Sequence, residues 1–134
     1  MIVLANGVFD LLHAGHVAHL REAKEMGDYL IVALTIDEFV GKGNGRPVYD
    51  WDQRAALLRE LRCVDYVTPT RNSVEAILHE EPDIFVKGPD YLGERFSEDI
   101  KGACRMIGTQ IRYTSSPKQS TTETIKRIWA LRQH

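Results

Sequence analysis

The segment from Asn6 to His16, NGVFDLLHAGH, places two histidines three residues apart at the mouth of a helical pattern. The start of a helix presents free backbone N–H groups and a positive dipole end, which together favour an anion. The imidazole N–H groups of His13 and His16 can donate to a phosphoryl group as its charge grows in a transition state. Gly15 lets the backbone approach closely, because a side chain there would block phosphate oxygens. The segment therefore predicts a site that binds a phosphate group.

Two plainer interpretations of this segment stay open. The histidines can simply be satisfied side chains at a helix end. Asp10, His13, His16 and His19 also fall at three-residue steps, which could mark a metal site, although the stretch straddles a loop and a helix start and need not share one face. Asp10 either orients a histidine or shapes the local turn, because aspartate favours turns and caps.

Apolar runs alternate with amphipathic stretches along the chain. A run that is apolar throughout, such as YLIVALT at 29–35, is typical of a strand buried on both faces. The patterns predict strands at 2–5, 29–35, 66–68, 84–87 and 110–113. They predict helices at 14–26, 50–61, 73–79, 96–107 and 120–132. Ser73 and Ser120 are the predicted caps of the third and fifth helices, and the second helix is predicted to share one face among Ala56, Leu57 and Leu61.

Strands that alternate with helices predict an α/β fold. We expect a single doubly wound, five-stranded parallel sheet with helices on both faces, a Rossmann-like arrangement, formed by residues 1–134 as one domain. In such sheets, ligands bind at the carboxyl ends of the strands, where the winding direction reverses. Residues 7–16 and 88–91, which follow the first and fourth strands, are therefore the first places to look for a site.

The composition excludes several classes of protein. The chain has 134 residues, 43% of them hydrophobic and 27% charged, as in an ordinary globular domain. Its net charge of −2 disfavours general binding to nucleic acid or to an anionic membrane. Two cysteines, Cys63 and Cys104, are too few for a disulfide scaffold and fit a reducing compartment. With neither a signal peptide nor a membrane-spanning run in the sequence, we expect a cytoplasmic protein.

Several motifs point to one family. GVFDLLHAGH resembles the G-x-F-D-x-x-H-x-G-H signature of the cytidylyltransferase-like nucleotidyltransferases. The segments GRPVYDWDQR at 45–54, LRCVDYV at 61–67 and QSTTETIKRI at 119–128 resemble further parts of that family. NGVFD, RPV at 46–48 and VKGPDY at 86–91 are most similar to the heptose 1-phosphate adenylyltransferases. The tail TSSPKQSTT departs from the family, which tends to place a glycine before S-T-T.

The resemblance implies a nucleotidyltransferase fold and an enzyme that moves a nucleoside monophosphate from ATP to a heptose 1-phosphate and releases pyrophosphate. The alternative within the family is CTP-dependent transfer to glycerol 3-phosphate or another small alcohol phosphate. Mg²⁺ would shield the triphosphate, and a homodimer is expected. The kinase domain often fused to this domain is not in the sequence, so a stand-alone enzyme of cell-surface sugar biosynthesis is expected.

The resemblance also implies roles for individual residues. The implied catalytic residues are His13, His16, Lys42 and Arg54. Lys42 would reach a phosphate from a mobile loop, and Arg54 would bind the acceptor's phosphate or the leaving pyrophosphate. The implied nucleotide-binding residues are Gly7, Val8, Phe9, Asp10, Gly15, Lys87, Gly88, Asp90, Ser120 and Thr121. Of these, Ser120 and Thr121 would hold the β- and γ-phosphates at a helix start.

Each assignment has a plainer alternative. Arg54 could be a solvated helix residue, and Lys42 could be merely exposed. Ser120 and Thr121 are good helix caps whatever the function. For Lys87 the functional role is favoured instead, because a charged residue that ends a buried strand needs a partner there. Two other kinds of protein also stay open: a non-catalytic nucleotide-sensing module, and a metal-dependent hydrolase that uses Asp10 and the histidines.

Overall fold

The computed structural model describes residues 1–88, 98–115 and 121–132. The strands are β1 (Ile2–Gly7), β2 (Tyr29–Thr35), β3 (Tyr66–Thr70), β4 (Ile84–Lys87) and β5 (Gln110–Tyr113). The helices are α1 (Ala14–Glu25), α2 (Trp51–Arg59), α3 (Ser73–Glu80), α4 (Glu98–Ile107) and α5 (Thr121–Arg132), with a short 3₁₀ turn at Asp37–Phe39. All strand pairs are parallel, and their order across the sheet is β3-β2-β1-β4-β5.

The strand order puts the reversal of winding between β1 and β4. The chain moves outward from β1 to β3 and then crosses back to β4, whose Phe85 and Val86 pair with Leu4 and Ala5 of β1. The predicted doubly wound α/β fold is confirmed. The residues that follow β1 and β4 therefore share the carboxyl edge of the sheet at its switch point, where such folds bind ligands.

Two apolar layers hold the helices against the sheet. The layer under α1 and α2 consists of the buried residues Val3, Ala5, Phe9, Leu20, Ala23, Leu30, Val32, Leu34, Ala55, Leu58, Val67, Ile84 and Val86. The layer under α3 and α4 consists of Leu4, Ile31, Ala33, Ala76, Ile77, Phe85, Ala103 and Cys104. Neighbouring residues of β1 and β2 point into opposite layers, so both faces of the sheet are buried, as the apolar strand patterns predict.

The buried face of α2 differs from the prediction. Ala55 and Leu58 are fully buried, whereas Ala56 and Leu57 are exposed. The helix begins one residue after its cap Asp50 and is oriented by the burial of Arg54, a polar residue that the apolar pattern could not reveal. The expected shared face of Ala56, Leu57 and Leu61 is therefore wrong, although Leu61 does pack against the core.

Other boundaries shift by a few residues. Asn72, not Ser73, caps α3, because its side chain accepts from the backbone N–H of Glu75. β3 continues through Pro69, which an edge strand tolerates since one of its sides makes no ladder hydrogen bonds. Within the described part of the chain, no helix has the length and apolar character that crossing a membrane requires.

Candidate active site

Close packing fixes the turn between β1 and α1. Phe9 and Leu11 adopt the left-handed backbone conformation, with φ of 47° and 52°, which residues other than glycine rarely do. Gly7 permits this turn, because a Cβ there would lie 2.7 Å from the ring of Phe9. The Phe9 ring is buried and lies edge-on to the imidazole of His16, with centroids 5.4 Å apart. The ring of Phe9 thereby packs against the first turn of α1.

His13 and His16 cap α1 reciprocally. Nδ1 of His13 accepts from the backbone N–H groups of Gly15 at 3.1 Å and of His16 at 3.4 Å. In return, Nδ1 of His16 accepts from the backbone N–H of His13 at 3.3 Å, and the two rings stack with centroids 3.8 Å apart. A ring nitrogen that accepts carries no proton, so each neutral ring holds its proton on Nε2. The cap therefore selects the tautomer that donates from Nε2.

Burial keeps the ring of His16 neutral. It lowers the pKa of His16 to about 4, and the positive charge of Lys42 acts in the same direction. Lys42 itself is exposed in the loop at 41–47, and its positive charge disfavours protonation of His16. At neutral pH, His16 is thus an uncharged donor beside a cationic loop.

Acidification should destabilise the protein through His16. Its pKa falls from an ordinary 6.5 to about 4 on folding, so the unfolded chain binds the proton more readily. The stabilisation is full above pH 6.5 and is lost as the pH falls towards 4. We expect a loss of about 2 kcal/mol between pH 7.0 and 4.5, allowing for screening of this partly exposed ring. Urea denaturation at the two pH values measures this loss.

The matched variant for this measurement is His16→Gln, since glutamine at this position can still complete the capping box but does not titrate. We expect the variant to lose about 2 kcal/mol less than the natural chain over the same pH interval. Equal losses in the two proteins would show that His16 does not carry this pH dependence.

Nε2 of His13 is the clearest sign of a ligand. The atom is buried and has no hydrogen-bond partner among the residues that the structure describes. Leaving a buried donor unpaired costs about 1–3 kcal/mol, so such atoms are rare unless a ligand completes them. Because this N–H lies at the N-terminus of α1, the acceptor it suits best is an anion.

Asp10 joins the turn after β1 to the loop after β2. Its buried carboxylate accepts from the backbone N–H groups of Val48 at 2.7 Å and Tyr49 at 3.0 Å, and from Nε of Arg46 at 3.2 Å. Burial raises the pKa of Asp10, but the hydrogen bonds from Tyr49, Val48 and Arg46 more than offset this and lower it below its ordinary value. This pairing gives Asp10 a role in local structure, while its contact with a nucleotide stays a prediction.

Arg54 lies beneath the same turn and is 1% exposed. Its guanidinium donates to the carbonyls of Tyr49 at 3.0 Å and Val8 at 2.8 Å, and to the carboxylate of Asp37 at 2.5 Å. The interpretation of Arg54 as a solvated helix residue is therefore wrong. Its predicted contact with a substrate phosphate would have to compete with these three hydrogen bonds, so positioning the turn is the role that the geometry favours.

A chain of hydrogen bonds crosses the carboxyl ends of the central strands. Nδ2 of Asn6 donates to the carbonyl of Ala33 at 2.9 Å, and its Oδ1 accepts from Ser73 at 2.6 Å. Nζ of Lys87 donates to the hydroxyl of Ser73 at 3.4 Å, and burial lowers the pKa of Lys87 to about 8. Ser73 is thus one partner of Lys87 at the end of β4. Gly88 is the next residue in the chain.

The start of α5 returns to the turn after β1. The hydroxyl of Thr121 donates to the backbone carbonyl of Asp10 at 2.8 Å. The end of β5 is fastened to α1, because Nδ1 of His19 lies 2.7 Å from the hydroxyl of Thr114. Glu22 likewise accepts from the backbone N–H and the hydroxyl of Ser115, at 2.8 and 2.7 Å. Two helix starts, those of α1 and α5, thus lie on either side of one turn.

Most of the predicted site residues belong to this edge of the sheet. Two of them, Asp90 and Ser120, lie outside the described residues. Around the turn between β1 and α1, the structure brings together Gly7, Val8, Phe9, Asp10, His13, Gly15, His16, Arg54 and Thr121. Sequence reasoning named His19 only as a possible metal ligand and Arg46 only within a family motif, and it missed Glu22. No local pattern could have found the contacts seen here, since the partners are 36 to 95 residues away.

The described site is rich in N–H donors and poor in free carboxylates. Over residues 1–88, 98–115 and 121–132, no group of three or more His, Cys, Asp and Glu side chains is arranged to hold a metal ion. Asp10 is held by its chain partners, and Nδ1 of each capping histidine is used within α1. The arrangement suits an anion and offers little to a bare cation.

Comparisons with known proteins agree with this geometry. The model of the family described as cytidylyltransferase-like matches residues 4–127. Among the relatives, the bifunctional protein HldE of Shewanella sediminis is 43% identical over 96% of this chain, and that of Vibrio atlanticus is 43% identical over 95%. These alignments cover 28% and 27% of the relatives, so the chain spans little more than a quarter of their length.

Two solved structures have a similar fold. A lipopolysaccharide core biosynthesis protein from Thermoplasma volcanium is 29% identical, with a TM-score of 0.70 over 90% of this chain and 98% of that one. A pantoate-beta-alanine ligase from Francisella tularensis, 17% identical with a TM-score of 0.61 over 88% of this chain and 60% of its own, shares the fold alone. The family model matches nearly the whole sequence, including the turn between β1 and α1 and the two histidines that follow it. The chain therefore belongs to the cytidylyltransferase-like family.

Proposed function

We propose that the protein is a nucleotidyltransferase that joins the α-phosphate of ATP to the phosphate of a heptose 1-phosphate. The observation that carries the proposal is the unpaired Nε2–H of His13, buried at the start of α1 and held in the donating tautomer by the cap. Membership of the family and the 43% identity to the HldE proteins support the reaction class. The sequence resemblance to heptose 1-phosphate adenylyltransferases supports the acceptor and the base.

In the proposed reaction, an oxygen of the acceptor phosphate attacks the α-phosphorus in line. The new P–O bond forms as the bond from the α-phosphorus to the bridging oxygen breaks, and the electron pair leaves with pyrophosphate. The nucleophile is already an anion, so the step needs no strong general base. The carboxylate of Asp10, which lies in the turn, already accepts hydrogen bonds from Val48, Tyr49 and Arg46.

The chain's own residues stabilise the charge that develops on the phosphates. His13 and His16 present Nε2–H donors at the positive end of the α1 dipole, and Lys42 adds a positive charge from its loop. Thr121, with Ser120, would hold the outer phosphates at the start of α5. Arg54 keeps the turn in place through the carbonyl of Val8.

Mg²⁺ would enter as part of the nucleotide substrate. Magnesium keeps several waters and is often held mainly by phosphate oxygens, so a site of N–H donors fits a metal that arrives on the triphosphate. The ion would neutralise charge on the phosphates, while the residues of the turn hold the oxygens that it leaves free. The homodimer and the cytoplasmic location stay predictions from the resemblance and the composition.

Release of pyrophosphate tests the reaction class and the substrates together. Purified protein with Mg²⁺ is given ATP, CTP, GTP or UTP, each with heptose 1-phosphate, glycerol 3-phosphate or no acceptor. We expect release with ATP and heptose 1-phosphate only. Release with CTP and glycerol 3-phosphate would move the protein to the alternative acceptor, which the HldE relatives do not favour. Tight nucleotide binding without release from any pair would indicate a sensing module.

A further inference from the structure

Arg46 is a charged side chain held inside the site. It belongs to the loop after β2, and its side chain is 9% exposed. Nε donates to the carboxylate of Asp10 at 3.2 Å, and Nη1 donates to the hydroxyl of Thr122 at 3.4 Å. One guanidinium thus links the loop, the turn after β1 and the first turn of α5.

Part of this guanidinium is left without a chain partner. Nη2 of Arg46 is buried and has no hydrogen-bond partner in the part of the chain that the structure describes. A buried charged group pairs its N–H groups more strictly than a neutral one, because each unpaired group carries a larger desolvation cost. A ligand acceptor at Nη2 would remove that cost.

The surroundings of Arg46 call for an anion. Thr122 lies in the first turn of α5, where the helix dipole places positive partial charge beside the positive guanidinium. Asp10 supplies one negative charge, but its two oxygens also accept from the backbone N–H groups of Val48 and Tyr49. Lys42 adds a further positive charge from the same loop. Guanidinium groups bind phosphate oxygens strongly.

The described residues leave two buried donor atoms unpaired, Nε2 of His13 and Nη2 of Arg46. The first lies at the start of α1 and the second beside the start of α5, with Asp10 between them. An anion that carries negative oxygens along its length can accept from both donors, which describes a chain of linked phosphates.

We propose that Arg46 is a further phosphate-binding residue, which binds the terminal phosphates of a polyphosphate chain whose other end is held by His13. The inference rests on the proposed function for the identity of that chain as the pyrophosphate portion of a nucleoside triphosphate. Binding also holds the loop at 41–47 in place, because the guanidinium that contacts the phosphate also donates to Asp10 and Thr122. Arg46, rather than Arg54, is thereby the arginine that contacts the leaving group.

Calorimetric titration of the full chain with inorganic pyrophosphate tests this role without any acceptor. We expect Arg46→Gln to bind pyrophosphate about 10- to 100-fold more weakly, the loss typical of a hydrogen bond to a charged group. Affinity for the better bound of AMP and CMP should change less than threefold, because a monophosphate lies at the His13 end. Arg105→Gln, a change at an exposed arginine of α4, is the control and should bind both ligands normally.

Arg46→Lys keeps the charge but loses the forked geometry, and it serves if the glutamine variant does not fold. We expect at least a fivefold loss of pyrophosphate affinity there, with the monophosphate again spared. Unchanged pyrophosphate affinity in the variants, parallel loss of both ligands with a lower Tm, or no pyrophosphate binding by the natural chain would overturn the proposal. If nucleotidyl transfer fails with every pair while this selective loss is seen, Arg46 still binds polyphosphate and only the proposed reaction is wrong.

Discussion

Replacing His13 with asparagine should lower the rate of nucleotidyl transfer by about 10²- to 10³-fold, the usual effect of losing one donor to a developing oxyanion. The side-chain oxygen of asparagine can take the place of Nδ1 and accept from the backbone N–H groups of Gly15 and His16, so the cap of α1 remains. The variant lacks the Nε2–H that the described residues leave unpaired and the stacking of the His13 ring on that of His16. We expect kcat to fall while the Tm changes by no more than about 3 °C.

The control for this change is His79→Asn, since His79 is a histidine near the end of α3 whose side chain is 78% exposed. Steady-state kinetics and thermal unfolding are measured on both variants. If His13→Asn lost activity only in proportion to its stability, the histidine pair would be a satisfied helix cap and nothing more.

Replacing Arg54 with methionine should cost about 3–5 kcal/mol of folding free energy. The change keeps much of the side chain's volume but removes the hydrogen bonds to Tyr49, Val8 and Asp37 and leaves two carbonyls without their donor. Each part-buried carbonyl left without its donor costs about 1–3 kcal/mol, and the carboxylate of Asp37, whose side chain is 38% exposed, adds less. For a chain of this length, we expect the Tm to fall by roughly 10–15 °C. Urea denaturation of the natural chain and the variant measures the loss directly.

Arg59→Met provides the comparison within the same helix, because Arg59 is exposed. Its guanidinium lies over the ring of Trp51, 5.7 Å from the ring centroid. Its loss should cost less than about 1 kcal/mol. If Arg54→Met kept its stability but raised the KM for the acceptor phosphate, Arg54 would be the substrate-binding residue that the family resemblance implies, and not a residue that positions the turn.

The fold could be predicted from local pattern because both sheet faces are buried. Strands such as β2 are apolar from end to end, and β2, β4 and β5 have the predicted bounds. The pattern failed at α2, where the burial of Arg54 turns Ala55 and Leu58 inward instead of Ala56 and Leu57. It also ended β1 at Ala5, whereas Asn6 and Gly7 continue the ladder with β2.

The site could be predicted only as far as its contacts are local. His13 and His16 are one helical turn apart, and the family motif places them at the start of α1. The partners of Asp10 are 36 to 39 residues along the chain, and spacing does not reveal such pairs. For the same reason, the sequence indicated neither the burial of Arg54 nor the link from Arg46 to Thr122.

The most direct test follows the new bond in the product. Heptose 1-phosphate carrying ¹⁸O in its phosphate is incubated with ATP, Mg²⁺ and the protein, and the products are analysed by mass spectrometry. We expect a nucleotide sugar with the acceptor's ¹⁸O bridging to the α-phosphorus, together with unlabelled pyrophosphate. Recovery of unchanged labelled heptose 1-phosphate beside AMP would contradict the proposed transfer, since water rather than the sugar phosphate would then have attacked the nucleotide.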